Sequence, residues 1–150
     1  MTTAAARYVD PLSDTARWLG HLGLLPFVLG AALVWLGLES EPHAFVAQAL
    51  SAYAALIVSF LGGIHWGLGF RITAPPATLF VWGVVPSLVA WLAVMMPASA
   101  GLVVHGVMLL ACYAVDRRVY PVQGAAQWLV LRFRLSAVAS LCCFLGAAGT

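Results

Sequence analysis

From Phe45 to Phe70 the chain runs through about 26 residues without one Asp, Glu, Lys or Arg. As an α-helix at about 1.5 Å per residue this stretch is about 39 Å long, more than the roughly 30 Å of a bilayer's hydrocarbon core. It predicts a transmembrane helix that tilts, kinks or protrudes. Hydrophobic residues make up 63% of the 150-residue chain and charged residues 8%, which lies outside the range of soluble domains and leaves room for one membrane domain. Stepping by four along the stretch gives Ser51, Ala55, Ser59, Gly63 and Gly67, a small-residue stripe that would let a second backbone approach closely. The expectation is a helix at the centre of a bundle, packed through this stripe. His65 points roughly the other way, alongside Ala54, Val58 and Leu61.

Four more apolar runs surround it, giving spans at about 18–38, 45–70, 77–96, 98–115 and 125–148. The fold class is therefore an all-α membrane protein of five transmembrane helices. Met1 to Arg17 reads as a short arm without the apolar core of a secretory signal. Pro26 should bend the first span and Pro86 the third. Glu39 to His43 reads as the first turn, and Pro97 as a tight hairpin between antiparallel neighbours. Asp116 to Arg134 reads as the longest polar connection, with the fifth helix beginning near Ala125, because Leu135 to Thr150 alone would be only about 24 Å long. Arg132 and Arg134 would then snorkel into the headgroups. With five spans, all seven basic residues fall on one side, and all are Arg. The positive-inside rule puts that side and the N-terminus in the cytoplasm and the C-terminus in the periplasm, with Trp18, Trp66 and Trp128 near the inner boundary.

Three segments carry a family resemblance: Ser59-Phe60-Leu61-Gly62-Gly63-Ile64-His65-Trp66-Gly67, Asp116-Arg117-Arg118, and Trp128-Leu129-Val130-Leu131-Arg132-Phe133-Arg134-Leu135-Ser136. The chain resembles the domain of unknown function 3429 family, transmembrane-protein-sixty-nine-like small membrane proteins of bacteria and mitochondria, from about residue 20 to 148. The resemblance implies a compact five-helix membrane protein with no established activity. Ser59, Gly62, Gly63, His65, Trp66 and Gly67 are then the family-motif and helix-packing residues.

Reactive chemistry is sparse. The sequence has no Gly-x-Ser-x-Gly elbow, His-Glu-x-x-His pair or Cys-x-x-Cys, and no metal site is expected. Cys112, Cys142 and Cys143 lie in apolar runs and read as packing residues. Intramembrane ionisable residues are functional candidates by default, and only the histidines qualify in these boundaries. His21 and His65 fall at similar depth, where paired imidazoles could ligate a b-type haem or contact a quinone; the alternative roles for His65 are interfacial snorkelling or a bond to a neighbouring carbonyl. His105 has no carboxylate near it in the predicted spans. Asp116-Arg117-Arg118 reads as a solvated boundary, and Arg117, Arg118, Trp128, Arg132 and Arg134 as a face for anionic lipids or a partner. No basic patch of nucleic-acid type is present.

These features suggest a non-enzymatic accessory, assembly or stabilising subunit of a larger membrane complex, favoured as an energy-transducing one by the mitochondrial members of the family. The expected location is the bacterial inner membrane, or the mitochondrial inner membrane in a eukaryote. The alternatives are a haem- or quinone-binding redox protein using His21 and His65, and a small-solute carrier or channel hinged at Pro26, Pro86 and Gly62-Gly63.

Overall fold

A computed structural model describes residues 13–36 and 39–150. Most of the N-terminal arm and Leu38 lie outside the described residues. Within them are five helical segments long and apolar enough to cross a membrane: Asp14–Val34, Ser40–Gly69, Ala77–Val94, Ala98–Val122 and Ala126–Ala148.

The first segment is two helices, α1 (Asp14–Leu22) and α2 (Leu25–Val34), with Pro26 in the first turn of α2. Proline has no N–H to return to the Leu22 carbonyl, so the ladder breaks where the sequence predicts. The Tyr53 hydroxyl donates to the Gly23 carbonyl at 2.9 Å and pins this break to the next helix.

That helix, α3 (Ser40–Gly69), begins five residues before the expected 45 and is 30 residues long. Glu41 and Pro42 fill its first turn, where backbone N–H groups have no intrahelical partner to lose, so the predicted Glu39–His43 turn is largely helical. Next come α4 (Ala77–Val94) and α5 (Ala98–Val122), joined by a hairpin at Pro97. The expected end of α5 at Val115 is overturned: the helix continues through Asp116, Arg117 and Arg118 to a last turn holding Pro121. Gly124, at φ +71°, then turns the chain in a left-handed conformation that suits glycine. A 3₁₀ turn (Ala126–Trp128) leads into α6 (Leu129–Ala148), close to the expected start at Ala125.

The long helix α3 is central, touching α2, α4, α5 and α6. Its buried side is the one that carries Ala54, Val58, Leu61 and His65. The small-residue stripe serves as a packing face only in its first part, where Ser51 is buried and Ala55 packs against the core. Gly63 and Gly67 are exposed, and a Cβ on either would meet nothing within 4 Å. Close approach falls instead on Gly62, where a Cβ would lie 2.5 Å from the Gly83 carbonyl oxygen and 3.3 Å from Pro86 of α4. At the other end of the bundle, the Trp35 indole donates to the Leu145 carbonyl at 3.0 Å, and the His43 Nε2 lies 3.0 Å from the Gly149 carbonyl.

Candidate functional site

On α5, His105, Leu109, Cys112, Asp116 and Tyr120 recur at helical spacing and are all buried. Arg117 and Arg118, adjacent to Asp116 in sequence, point outward. The same periodicity on α6 buries Arg132, Ser136, Ala139 and Cys143 while Phe133 and Arg134 face out. Two charged side chains are thus carried inward by helix geometry, and α3 brings His65 to them.

The three meet closely. Arg132 Nε donates to Asp116 Oδ2 at 2.9 Å, and Arg132 Nη2 lies 2.8 Å from the same oxygen. His65 Nε2 stands 3.5 Å from the other carboxylate oxygen, Oδ1. His65 and Asp116 are each 1% exposed and Arg132 is 7% exposed. The His65 ring is edge-on to Trp82, centroids 6.5 Å apart, and tilted against Tyr120 at 6.2 Å, while its Nδ1 lies 3.4 Å from the Leu61 carbonyl. Taking a carboxylate and a guanidinium from water into such surroundings is costly, and mutual pairing is what makes it tolerable. The pairing is lopsided. Both arginine nitrogens converge on one oxygen, so Nη2 is poorly aligned for a second hydrogen bond, and Asp116 Oδ1 and His65 Nε2 are left without one. Ser136 Oγ, Trp82 Nε1 and both ring nitrogens of His105 are likewise buried without partners.

This geometry corrects four expectations. The carboxylate missing from the predicted membrane spans is Asp116, which is no solvated boundary. Arg132 does not snorkel outward: its guanidinium turns into the bundle to Asp116. Arg117, Arg118 and Arg134 are exposed and Trp128 is half-buried, so only these four match the surface expected of that group. Finally, His65 is buried and does not snorkel; of its two expected roles the structure shows the contact with a neighbouring carbonyl, that of Leu61. The structure does not bring His21 to it: His21 is exposed on α1, its Nδ1 2.7 Å from the Arg17 carbonyl. Among the described residues no group of three or more His, Cys, Asp and Glu side chains is placed to hold a metal. The signal for Asp116 was present in the sequence, since the spacing from His105 to Cys112 continues to Asp116 and Tyr120.

Beside the cluster, a cavity of about 540 Å³ opens between α1, α3 and α6. Its wall is mostly apolar, and Arg132, Ser136 and Tyr120 line it together with Trp128 and Arg71.

The family described as a protein of unknown function, DUF3429, matches residues 12–148. The chain belongs to the DUF3429 family. It is also similar to Transmembrane protein 69 of Xenopus tropicalis, at 37% identity over 83 residues, 53% of this chain and 32% of that protein. The chain therefore matches about a third of the length of that relative. No solved structure matches. The three segments that carry the DUF3429 resemblance, far apart in sequence, are the ones that converge here: Ser59–Gly67 supplies His65, Asp116–Arg118 supplies Asp116, and Trp128–Ser136 supplies Arg132.

Proposed function

We propose that this DUF3429 protein is a non-enzymatic accessory, assembly or stabilising subunit of a larger complex in the bacterial inner membrane, with its N-terminus in the cytoplasm. The observation that carries the reading is the division of α3 into two faces. One is locked into the bundle by His65 and its buried neighbours, while the other presents Gly63 and Gly67 with nothing within 4 Å. Lipid does not need a small-residue face, whereas a partner helix uses one to bring backbones together. The orientation rests on the positive-inside rule: the arginines of the described residues lie at the starts of α1 and α6 and the ends of α3 and α5, which share one end of the bundle.

Native mass in a mild detergent tests the proposal. The wild-type chain should travel in a species containing other proteins, and Gly63→Leu with Gly67→Leu should release it as a folded, smaller one. Because neither glycine has a neighbour to clash with, loss of the partner cannot be attributed to a broken bundle. A wild-type chain that runs alone, or a variant that keeps its partners, contradicts the reading.

A further inference from the structure

We propose that the cavity between α1, α3 and α6 is a binding site for one anionic amphiphile, its carboxylate or phosphate head at Arg71 and Arg132 and its acyl tail among the apolar side chains. At about 540 Å³ the cavity falls within the roughly 300–1,000 Å³ of small-molecule sites. Its lining is polarised. Arg71 at the end of α3, Tyr120 near the end of α5 and Arg132 at the start of α6 gather at one end, while Phe27, Ile57 and Leu109 line the part nearer the middle of the bundle. Leu19 and Phe60 line the cavity and are 64% and 66% exposed, so its mouth faces the hydrocarbon through which a tail would enter.

Charge selects the head. Two guanidiniums line the cavity and no carboxylate does; Asp116 stands behind Arg132 and compensates it, so the excess positive charge is Arg71's. Among the described residues Arg71 pairs with no acidic side chain. Two lining residues, both more than nine-tenths buried, also carry polar atoms without an aligned hydrogen bond: Ser136 Oγ, and Arg132 Nη2, which is held in its ion pair with Asp116 at 2.8 Å but poorly aligned. Buried donors of this kind are what an acceptor-rich head would satisfy. The wall's apolar character excludes a free inorganic anion as the fitting occupant; the tail is required.

Native mass spectrometry of the full chain in a non-ionic detergent, titrated with oleate, oleoyl lysophosphatidic acid and oleoyl lysophosphatidylcholine, tests this. The expected result is a single saturable adduct with one or both anionic probes, the two arms telling carboxylate from phosphate. Replacing Arg71 with Gln should weaken the anionic adduct by about fivefold, the share of one basic residue near an anionic head. It should bring it toward the level of the phosphocholine probe without altering the melting temperature, because Arg71 is exposed. Gly20→Leu, whose side chain would project toward Leu131 and Leu135 at the cavity wall, should abolish the adduct. Equal binding of all three probes, an adduct insensitive to Gly20→Leu, or no adduct at all overturns the proposal. The last result would leave the cavity to another segment of protein.

Discussion

At the arginine-bearing end, α3, α5 and α6 meet through the buried Asp116–Arg132 ion pair with His65 against it and stand far enough from α1 to leave a cavity; at the opposite end, hydrogen bonds to backbone carbonyls close the bundle. There Trp35 and His43 reach the Leu145 and Gly149 carbonyls at the end of α6, the first of which also accepts from the Gly149 N–H at 3.1 Å. A Cβ on Gly149 would meet Val34 and Trp35 at 2.7 and 2.9 Å, a sign of how near the chains come. The hydrogen bond from the Trp35 indole can be lost at small cost because neither partner is charged. The buried Asp116–Arg132 ion pair has no such tolerance, since each charge is buried on the strength of the other. The two ends should therefore respond to mutation very differently.

The largest effect is expected at the ion pair. Asp116→Leu leaves the Arg132 guanidinium buried without its counter-charge, and about 3–5 kcal/mol should be lost, measured by unfolding in a fixed detergent. Close approach comes second. Gly62→Val drives a side chain into the Gly83 carbonyl and should cost about 1–3 kcal/mol. The neighbouring Gly63→Val should change stability by less than about 0.5 kcal/mol, because it meets nothing. If the two glycine variants behave alike, the division of α3 into a bundle face and an open face is wrong. The third effect is that of Trp35→Phe at the opposite end, which removes one interhelical hydrogen bond and should cost about 0.6–1.7 kcal/mol. A loss there as large as that of Asp116→Leu would abolish the contrast between the ends.

Five spans were legible because apolar run length and helical rise leave few other solutions, and Pro26 marked the break in the first one. The central place of α3 was legible too, but not which face it packs through. A stripe such as Gly63 and Gly67 suits a neighbour within the bundle or beyond it equally, because lipid tails and leucine side chains offer the same apolar surroundings. Asp116 was misplaced for a different reason. Three charged residues in a row suggest an aqueous boundary, yet on a helix they point in different directions, and only the one in line with Cys112 and Tyr120 turns inward. His65 was correctly set among Ala54, Val58 and Leu61. Its partners belong to helices whose relative rotation no local pattern encodes, so the cluster became visible only when α3, α5 and α6 were assembled.

The most direct test of the buried ion pair is a double-mutant cycle between Asp116→Leu and Arg132→Met, read as unfolding free energy in one detergent. Each single variant should lose about 3–5 kcal/mol, and the double variant should lose less than either, because removing both charges leaves neither one stranded. Two small losses that simply add would mean that Asp116 and Arg132 face water or headgroups independently, and the account of this site would fail.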